Sequence, residues 1–512
     1  MSGKINHYLS RAALALAMTA FAYQMGVTLS TYLKYAIVAI GFPFPLDYGE
    51  GPLLDQTLRM ANFENIYRDV FSSPPYTISN YTPLFMLMQV PFAWIFGPAL
   101  WYGRLISILC VFAAALFISL TIFTFTRNWI GALTGGLLLV AFPYIRQWSM
   151  FNRVDELALA LSWAALFVTV RYVGRTDDRP LPKWGFWLAA SLFVASIYTR
   201  QTYALAAPFA AFLWLIFGTH GSCKSRIQLA AKLGLVVGGI TIALFLVINA
   251  FTSGGFYQNI VVANINVFYW QTVYLHVKEV GESFYPLLIL AGLFLLIERW
   301  IVKERTQIWP LVIFYLLAAG ASAITIGKTG SSINYMFEFC AALSLAAGSA
   351  LAWIGRLKWH GRTWLQIVIL AALSFQLSIM VDWKGVDFYD FENYLTSRTA
   401  HRENAARLQQ IVKDAPGIVL ADEYMGLIPL AGKRLYFEPF GFKQMSDAGM
   451  LDETSFVREI RDRKFDAILW YQPMSWPAVA ERWTPAQRAM VLSSYRLDSI
   501  IGDVYVYRPR KN

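Results

Sequence analysis

Apolar runs separated by short polar stretches dominate the first three-quarters of the chain. A bilayer core is crossed by about 20 apolar residues in a helix. Eleven stretches approach that length, near 12–33, 104–126, 129–146, 156–172, 185–199, 202–218, 233–251, 284–298, 308–326, 336–355 and 364–381. The pattern predicts a polytopic α-helical membrane protein. The first stretch is longer than a signal-peptide core and lacks a small-residue cleavage site, so it reads as a retained helix. Tyr81 to Gly97 is apolar too, but it is short and carries Pro83 and Pro91. Pro91 is expected to break a helix there, and counting this stretch as a span would invert everything after it. It reads instead as a helix resting in the outer membrane interface.

After Asp382 the pattern changes to short apolar runs among frequent charges. Gly417–Ala421, Arg434–Phe437 and Phe465–Trp470 read as buried strands, Phe456 to Lys464 as a helix, and Ser499–Arg508 as a hairpin turning at Gly502-Asp503. The expected division is a transmembrane module over 1–382, with a long first outer loop at 34–103, and a small α/β domain over 383–512 on the outer side. That domain has no Gly-rich phosphate loop and reads as a structural or acceptor-docking module.

Composition supports a membrane protein: 57% of residues are hydrophobic and 16% aromatic, including 18 Trp and 27 Tyr, side chains that anchor at lipid–water interfaces. The net charge of +11 does not point to nucleic acid. Residues 1–382 carry 25 Lys/Arg against 15 Asp/Glu, while 383–512 carry 18 against 17. The excess therefore belongs to the membrane part. With the N-terminus inside, 16 of those 25 basic residues fall in inner segments with only four acids, as the positive-inside rule requires. The outer face then holds 34–103, 147–155, Arg200-Gln201, 252–283, 327–335 and the tail. Three cysteines and five histidines show no disulfide or zinc spacing.

Charged residues recur at the outer ends of the spans. Asp47 and Glu50 sit in the Pro- and Gly-rich turn LDYGEGP after the first span. Either can cap the helix that follows, and either can act as a general base toward a hydroxyl at the membrane surface. Asp155 opens a span in FNRVDELAL beside Arg153, where the helix dipole alone explains an acid. Arg200 tips the tight hairpin YTRQTY and suits a phosphate, and Lys328 lies in the Gly/Ser-rich GKTGSSINY, whose backbone N–H groups can approach an anion. Asp47, Glu50 and Asp155 are oxygen donors suited to a divalent cation, Mg or Mn. No dedicated metal site is expected.

These motifs, in this order, resemble the GT-C superfamily of membrane glycosyltransferases, in the family 39-like branch of protein O-mannosyltransferases and the lipid A aminoarabinose transferase. The resemblance covers residues 1 to about 360. LDYGEGPLLDQ stands where that family has an acidic catalytic motif, with Tyr48 in place of an adjoining Glu. Gly103-Arg104 follows the surface segment. Asp155 matches a second acid, Thr199-Arg200 a hairpin cation, and Gly327-Lys328 with Tyr335 a later loop. The lysine that the lipid A enzyme places near Asn80 has no counterpart.

The resemblance implies a GT-C fold and an inverting hexosyl- or pentosyltransferase. It would move a sugar from a polyprenyl-phosphate donor to an extracytoplasmic hydroxyl on a lipid, glycan or protein. The expected setting is a bacterial inner membrane, with membrane lipids as partners and no nucleic acid. Asp47, Glu50 and Asp155 take the catalytic positions. Arg200, Lys328 and Tyr335 take the donor phosphate, and Asn80, Tyr81, Arg104 and Arg153 position donor or acceptor. Two alternatives are a transporter or lipid flippase, and an oligosaccharide polymerase or ligase using a pyrophosphate-linked glycan. A transporter places its ionisable groups near the midplane, often within repeated halves, and neither feature is seen here.

Overall fold

The structure, a computed structural model, describes residues 2–69, 73–174, 182–302, 306–355, 357, 361–385, 398–472 and 482–511; the side chains of 2–7, 301–302 and 398–399 are outside that description. Arg175, Asp177, Asp178, Arg179, Lys303, Glu304, Arg305, Arg356 and Lys358, among the loop charges read above, also lie outside it.

Each of the eleven expected spans is helical, with 129–146 broken at Phe142 into Trp129–Ala141 and Pro143–Trp148. Among the described residues, seven helices are long and apolar enough to cross a membrane: Tyr8–Gly41, Trp101–Thr126, Asp155–Val173, Cys223–Phe251, Ile308–Gly327, Ile333–Ile354 and Arg362–Val381. The pair Trp270–Ser283 and Tyr285–Trp300, bent by 80°, adds an eighth. Trp129–Ala141, Lys183–Ile197 and Gln201–Phe217 are apolar but shorter. The protein is a multi-pass membrane protein. Its membrane core packs the Trp101–Thr126 helix against Trp129–Ala141 and Asp155–Val168, with Phe337–Ile354 sealed behind them.

Leu84–Phe96 is a 13-residue helix, as expected for this stretch, and it runs on through Pro91 rather than breaking there. An interior proline costs about 3 kcal/mol, and tertiary anchors offset it. Thr82 Oγ1 donates to Ile197 O at 3.0 Å and Leu84 N–H to Tyr198 O at 2.9 Å. Phe85 and Met86 are fully buried, while Trp94, Ile95 and Phe96 stay exposed.

The C-terminal region forms a four-stranded sheet from β1 (Ile418–Ala421), β2 (Phe465–Tyr471), β3 (Tyr495–Ile501) and β4 (Val504–Pro509), in the order β1-β2-β4-β3. β1 and β2 are parallel, and β3–β4 is the expected hairpin around Gly502-Asp503. Arg434–Phe437 is not a strand of this sheet. Its backbone pairs with the first long loop instead: Tyr76 N–H donates to Tyr436 O at 2.7 Å, and Glu438 N–H returns to Tyr76 O at 2.8 Å. Asp55 and Arg59 add bonds to the N–H and carbonyl of Leu435, both 2.9 Å. Gly51 meets Gly426 so closely that a Cβ on Gly51 would lie 2.5 Å from its nitrogen. The C-terminal region is thus docked on the 44–80 loop.

The loop is held from below by Glu50 and Arg104, whose side chains are both 0% exposed. Arg104 donates to both Glu50 oxygens at 2.8 and 2.7 Å, and to the carbonyls of Ala39, Phe42 and Phe44 at 2.8, 2.6 and 2.7 Å. Glu50 also accepts from the backbone N–H of Leu46 and Asn152, at 2.7 and 2.8 Å. Gly103 has no side chain because Asn152 occupies the space a Cβ would take. A buried pair costs more when halved than when absent. Arg104→Leu is expected to destabilise by about 3–5 kcal/mol, read as a lowered Tm in detergent. An unchanged Tm would mean that the pair does not hold the loop.

Candidate functional site

Two further ion pairs open above this lock. In the first, Arg153 pairs with Asp47 Oδ2, which also accepts Gly49 N–H at 2.9 Å. Gly49 is required because the Arg153 guanidinium lies where a Cβ would project. Asp47 keeps 20% of its side chain exposed, whereas Glu50 has none. Both contacts fall on Oδ2, leaving Oδ1 without a hydrogen-bond partner among the described residues. Burial works against the charge on Arg153, but Asp47 and the other surrounding groups together hold its pKa above the ordinary arginine value.

In the second, Arg200 pairs with Asp155 Oδ1, their side chains 3% and 1% exposed. Asp155 also accepts Trp148 Nε1–H at 2.8 Å and Asn334 Nδ2–H at 3.1 Å. Trp148 joins the two pairs, since the Arg153 guanidinium lies 5.0 Å over its ring. The hairpin geometry places Arg200 in extended backbone between Lys183–Ile197 and the 3₁₀ turn Gln201–Ala204.

Arg200 also stacks 4.4 Å over the Tyr335 ring. Lys328 reaches the same place from the loop after Ile308–Gly327, donating from Nζ to Asn264 Oδ1 at 3.2 Å. Burial pushes its ammonium pKa down; Tyr335 opposes that shift and the Arg200 charge adds to it. Asn264 and Gln201 both donate to the backbone carbonyl of Asn80, at 3.3 and 2.9 Å. The Asn80 side-chain oxygen is buried without a protein hydrogen bond. Tyr81 contributes its backbone carbonyl to Tyr67 Oη at 2.8 Å.

The structure therefore brings Asp47, Arg153, Asp155, Arg200, Lys328, Tyr335 and Asn80 into one connected network. Glu50 and Arg104 lie in the scaffold beneath it, sealed from solvent with their hydrogen-bonding groups taken. The three carboxylates Asp47, Glu50 and Asp155 do not fit a divalent ion: each is paired to its own guanidinium, and no group of three or more His, Cys, Asp or Glu is placed to hold a metal among the described residues. Trp148, Asn264 and Asn334 had no sequence signal, because only tertiary packing brings them here.

The roof of the site comes from the C-terminal region. Tyr48 points its hydroxyl at Glu438 Oε1, 3.5 Å away, with Phe440 edge-on at 6.4 Å and the Arg482 guanidinium 4.8 Å over the ring. Phe440 in turn crowds Gly330 of the Lys328 loop, so the Asp47 turn and that loop share one side of the membrane bundle. Arg482 pairs with Glu423. Burial raises the Glu438 carboxyl to about 7. A carboxyl whose folded pKa exceeds its unfolded value stabilises fully below the unfolded pKa, and that stability is lost as pH rises through the folded value. The window runs from about 4.5 to 7, and the loss is at most about 3 kcal/mol at 1.36 kcal/mol per unit. The Tm is expected to fall across that window, and Glu438→Gln is expected to flatten the fall. An equally steep profile in the variant would exclude Glu438 as its source.

No protein-family model matches the chain, and no curated protein matches it. Solved structures do. ArnT from Cupriavidus metallidurans bound to undecaprenyl phosphate aligns with TM-score 0.60 at 14% identity, over 94% of this chain and 97% of that one. Its apo state gives 0.57 at 13% over the same shares. The oligosaccharyltransferase AglB from Archaeoglobus fulgidus, in complex with an inhibitory peptide and a dolichol-phosphate, gives 0.50 at 12%, over 94% of this chain and 74% of that one. Over the 94% of its length that aligns, this chain has the GT-C fold.

Proposed function

We propose that this protein is an inverting glycosyltransferase that moves a sugar from a polyprenyl-phosphate carrier to an acceptor hydroxyl. The observation that carries the reading is the joined pair of ion pairs. A cation cluster of Arg200 and Lys328 with Tyr335 is linked to the partly exposed carboxylate of Asp47 through Asp155, Trp148 and Arg153. An apolar groove of about 260 Å³ lies between the helices joined by the Arg200 hairpin and the helix that follows. It is lined by Ile197 and Ala204, which flank Arg200 in the chain, and by Val237 and Thr241 of the next helix. A lipid phosphate needs an apolar channel together with fixed positive charge. The similar folds of ArnT bound to undecaprenyl phosphate and AglB bound to dolichol-phosphate support the same class of donor.

In the proposed step, the acceptor oxygen attacks the anomeric carbon as its bond to the phosphate oxygen breaks. The proton passes to Asp47, and the carrier phosphate leaves with both bridging electrons. Arg200 and Lys328 are already aimed at the charge that grows on the leaving phosphate, so no reorganisation is needed in the transition state. Arg153 holds Asp47 in place. Asp155 serves as a positioning residue that holds Arg200. Asn80 and Tyr81 border the cations and orient the sugar. The long-loop face is extracytoplasmic in this reading, as the distribution of basic residues requires, with residues 1–382 as the catalytic module and 383–512 as an outer domain. A pyrophosphate-linked donor would use the same cations, and donor competition separates the two.

Asp47→Asn preserves the acceptor for Gly49 N–H but removes the base. Transfer from a synthetic polyprenyl-phosphate sugar is expected to fall by about 100-fold or more, with expression and membrane insertion intact; full activity would exclude Asp47. Lys328→Ala leaves the Asp155–Arg200 pair intact. It is expected to weaken polyprenyl-phosphate binding by about 10-fold, the worth of one charge-assisted hydrogen bond. Unchanged affinity in that variant would remove Lys328 from the phosphate site.

A further inference from the structure

We infer that the acceptor is a carbohydrate, and that one of its sugar rings sits in a closed seam between the Asp47 turn and the C-terminal region. The inference rests on the transferase reading above and names the acceptor class that reading leaves open.

The seam is a cavity of about 200 Å³. Asp47 lines it from the first loop, Asn404 from the helix Arg398–Asp414, Glu423 and Tyr424 from the turn after β1, Tyr471 from the end of β2, and Asp503 from the β3–β4 turn. Its position comes first. The reacting hydroxyl must reach Asp47, and Asp47 has an oxygen with no hydrogen bond to the described protein. Whatever fills this cavity lies against the base.

The lining then selects the occupant. Asp47 and Glu423 are each paired to an arginine, and with Asp503 they offer hydrogen-bond acceptors when ionised; His401 and Asn404 complete the polar lining. Sugar hydroxyls donate to such groups, and the Asn404 amide can both donate and accept. Tyr424 and Tyr471 meet edge to face, with centroids 6.2 Å apart, and offer aromatic surface to the C–H face of a pyranose ring. Arg482 pairs with Glu423 on the side of Tyr48 and holds that carboxylate in place. The volume suits a single ring and excludes a lipid tail. The lining points to a neutral or amino-bearing sugar. A hydroxyl side chain on a peptide is the competing occupant of the same size.

Saturation-transfer NMR on the full chain in lipid nanodiscs, without donor, tests this. The probes are methyl hexosides, their neutral di- and trisaccharides, and a Ser/Thr tripeptide. Transfer to at least one neutral sugar is expected, reduced at least five-fold by Tyr471→Ala and separately by Asn404→Leu. Tyr471 ends a core strand, so the Asn404 variant supplies an obstruction that leaves the sheet untouched. No transfer to any sugar, sugar signals unchanged in both variants, or signals only on the tripeptide would overturn the inference. Lipid-phosphate affinity is read separately on the same preparation. Its absence would sink the transferase reading and leave glycan binding standing, whereas intact lipid-phosphate affinity without glycan binding would sink the seam alone.

Discussion

A single buried carboxylate organises this molecule. Glu50 is bound at once to Arg104 on one span, to Leu46 in its own turn, and to the backbone of Asn152 before another span. Through Arg104 it also collects the carbonyls that end the first helix. Burying two full charges is costly, and the cost is met only when nearly every lone pair and N–H is used, as happens here. The gain is geometric rather than energetic. Three segments distant in sequence are pinned to one point, and the side chains of the candidate site grow outward from it: Asp47 three residues before Glu50, Arg153 one residue after Asn152, and Asp155 two beyond that.

The same logic repeats one layer up. Each acid of the cleft is matched to an arginine from another element, so the site carries high local charge with little net charge. Arg200 divides its guanidinium between Asp155 and the Tyr335 ring, and Lys328 rests on a neutral amide. An incoming phosphate can therefore compete for Lys328 without first breaking an ion pair. Low dielectric around these groups makes each contact count for more than it would in water. Above them the C-terminal region closes over Tyr48, which makes it part of the site's wall as well as a docked module.

The membrane architecture was legible because hydropathy reports burial in lipid directly: every expected span is helical, and the 499–508 hairpin turns at the expected residues. Two local details changed where tertiary contacts outweigh local preference. The expected helix over Leu84–Phe96 is not broken at Pro91, because Thr82 and Tyr198 hold its start. Arg434–Phe437 has strand composition, but its backbone partner is Tyr76 rather than the sheet. The choice between Asp47 and Glu50 could not be read from their shared turn, because it depends on Arg104 and Arg153, which arrive from elsewhere in the fold. Trp148, which joins the two ion pairs, looks like any interfacial tryptophan in sequence. The convergence of Asp155, Arg200 and Lys328 was visible only as a shared side of the membrane.

The most direct test of the central claim is a cryo-EM map of the full chain in nanodiscs with a polyprenyl phosphate. The account predicts phosphate density within about 3 Å of both the Arg200 guanidinium and the Lys328 ammonium, with the chain running into the groove lined by Ile197, Ala204 and Val237. Phosphate density at the opposite ends of the spans, with Lys328 still resting on Asn264, would contradict it.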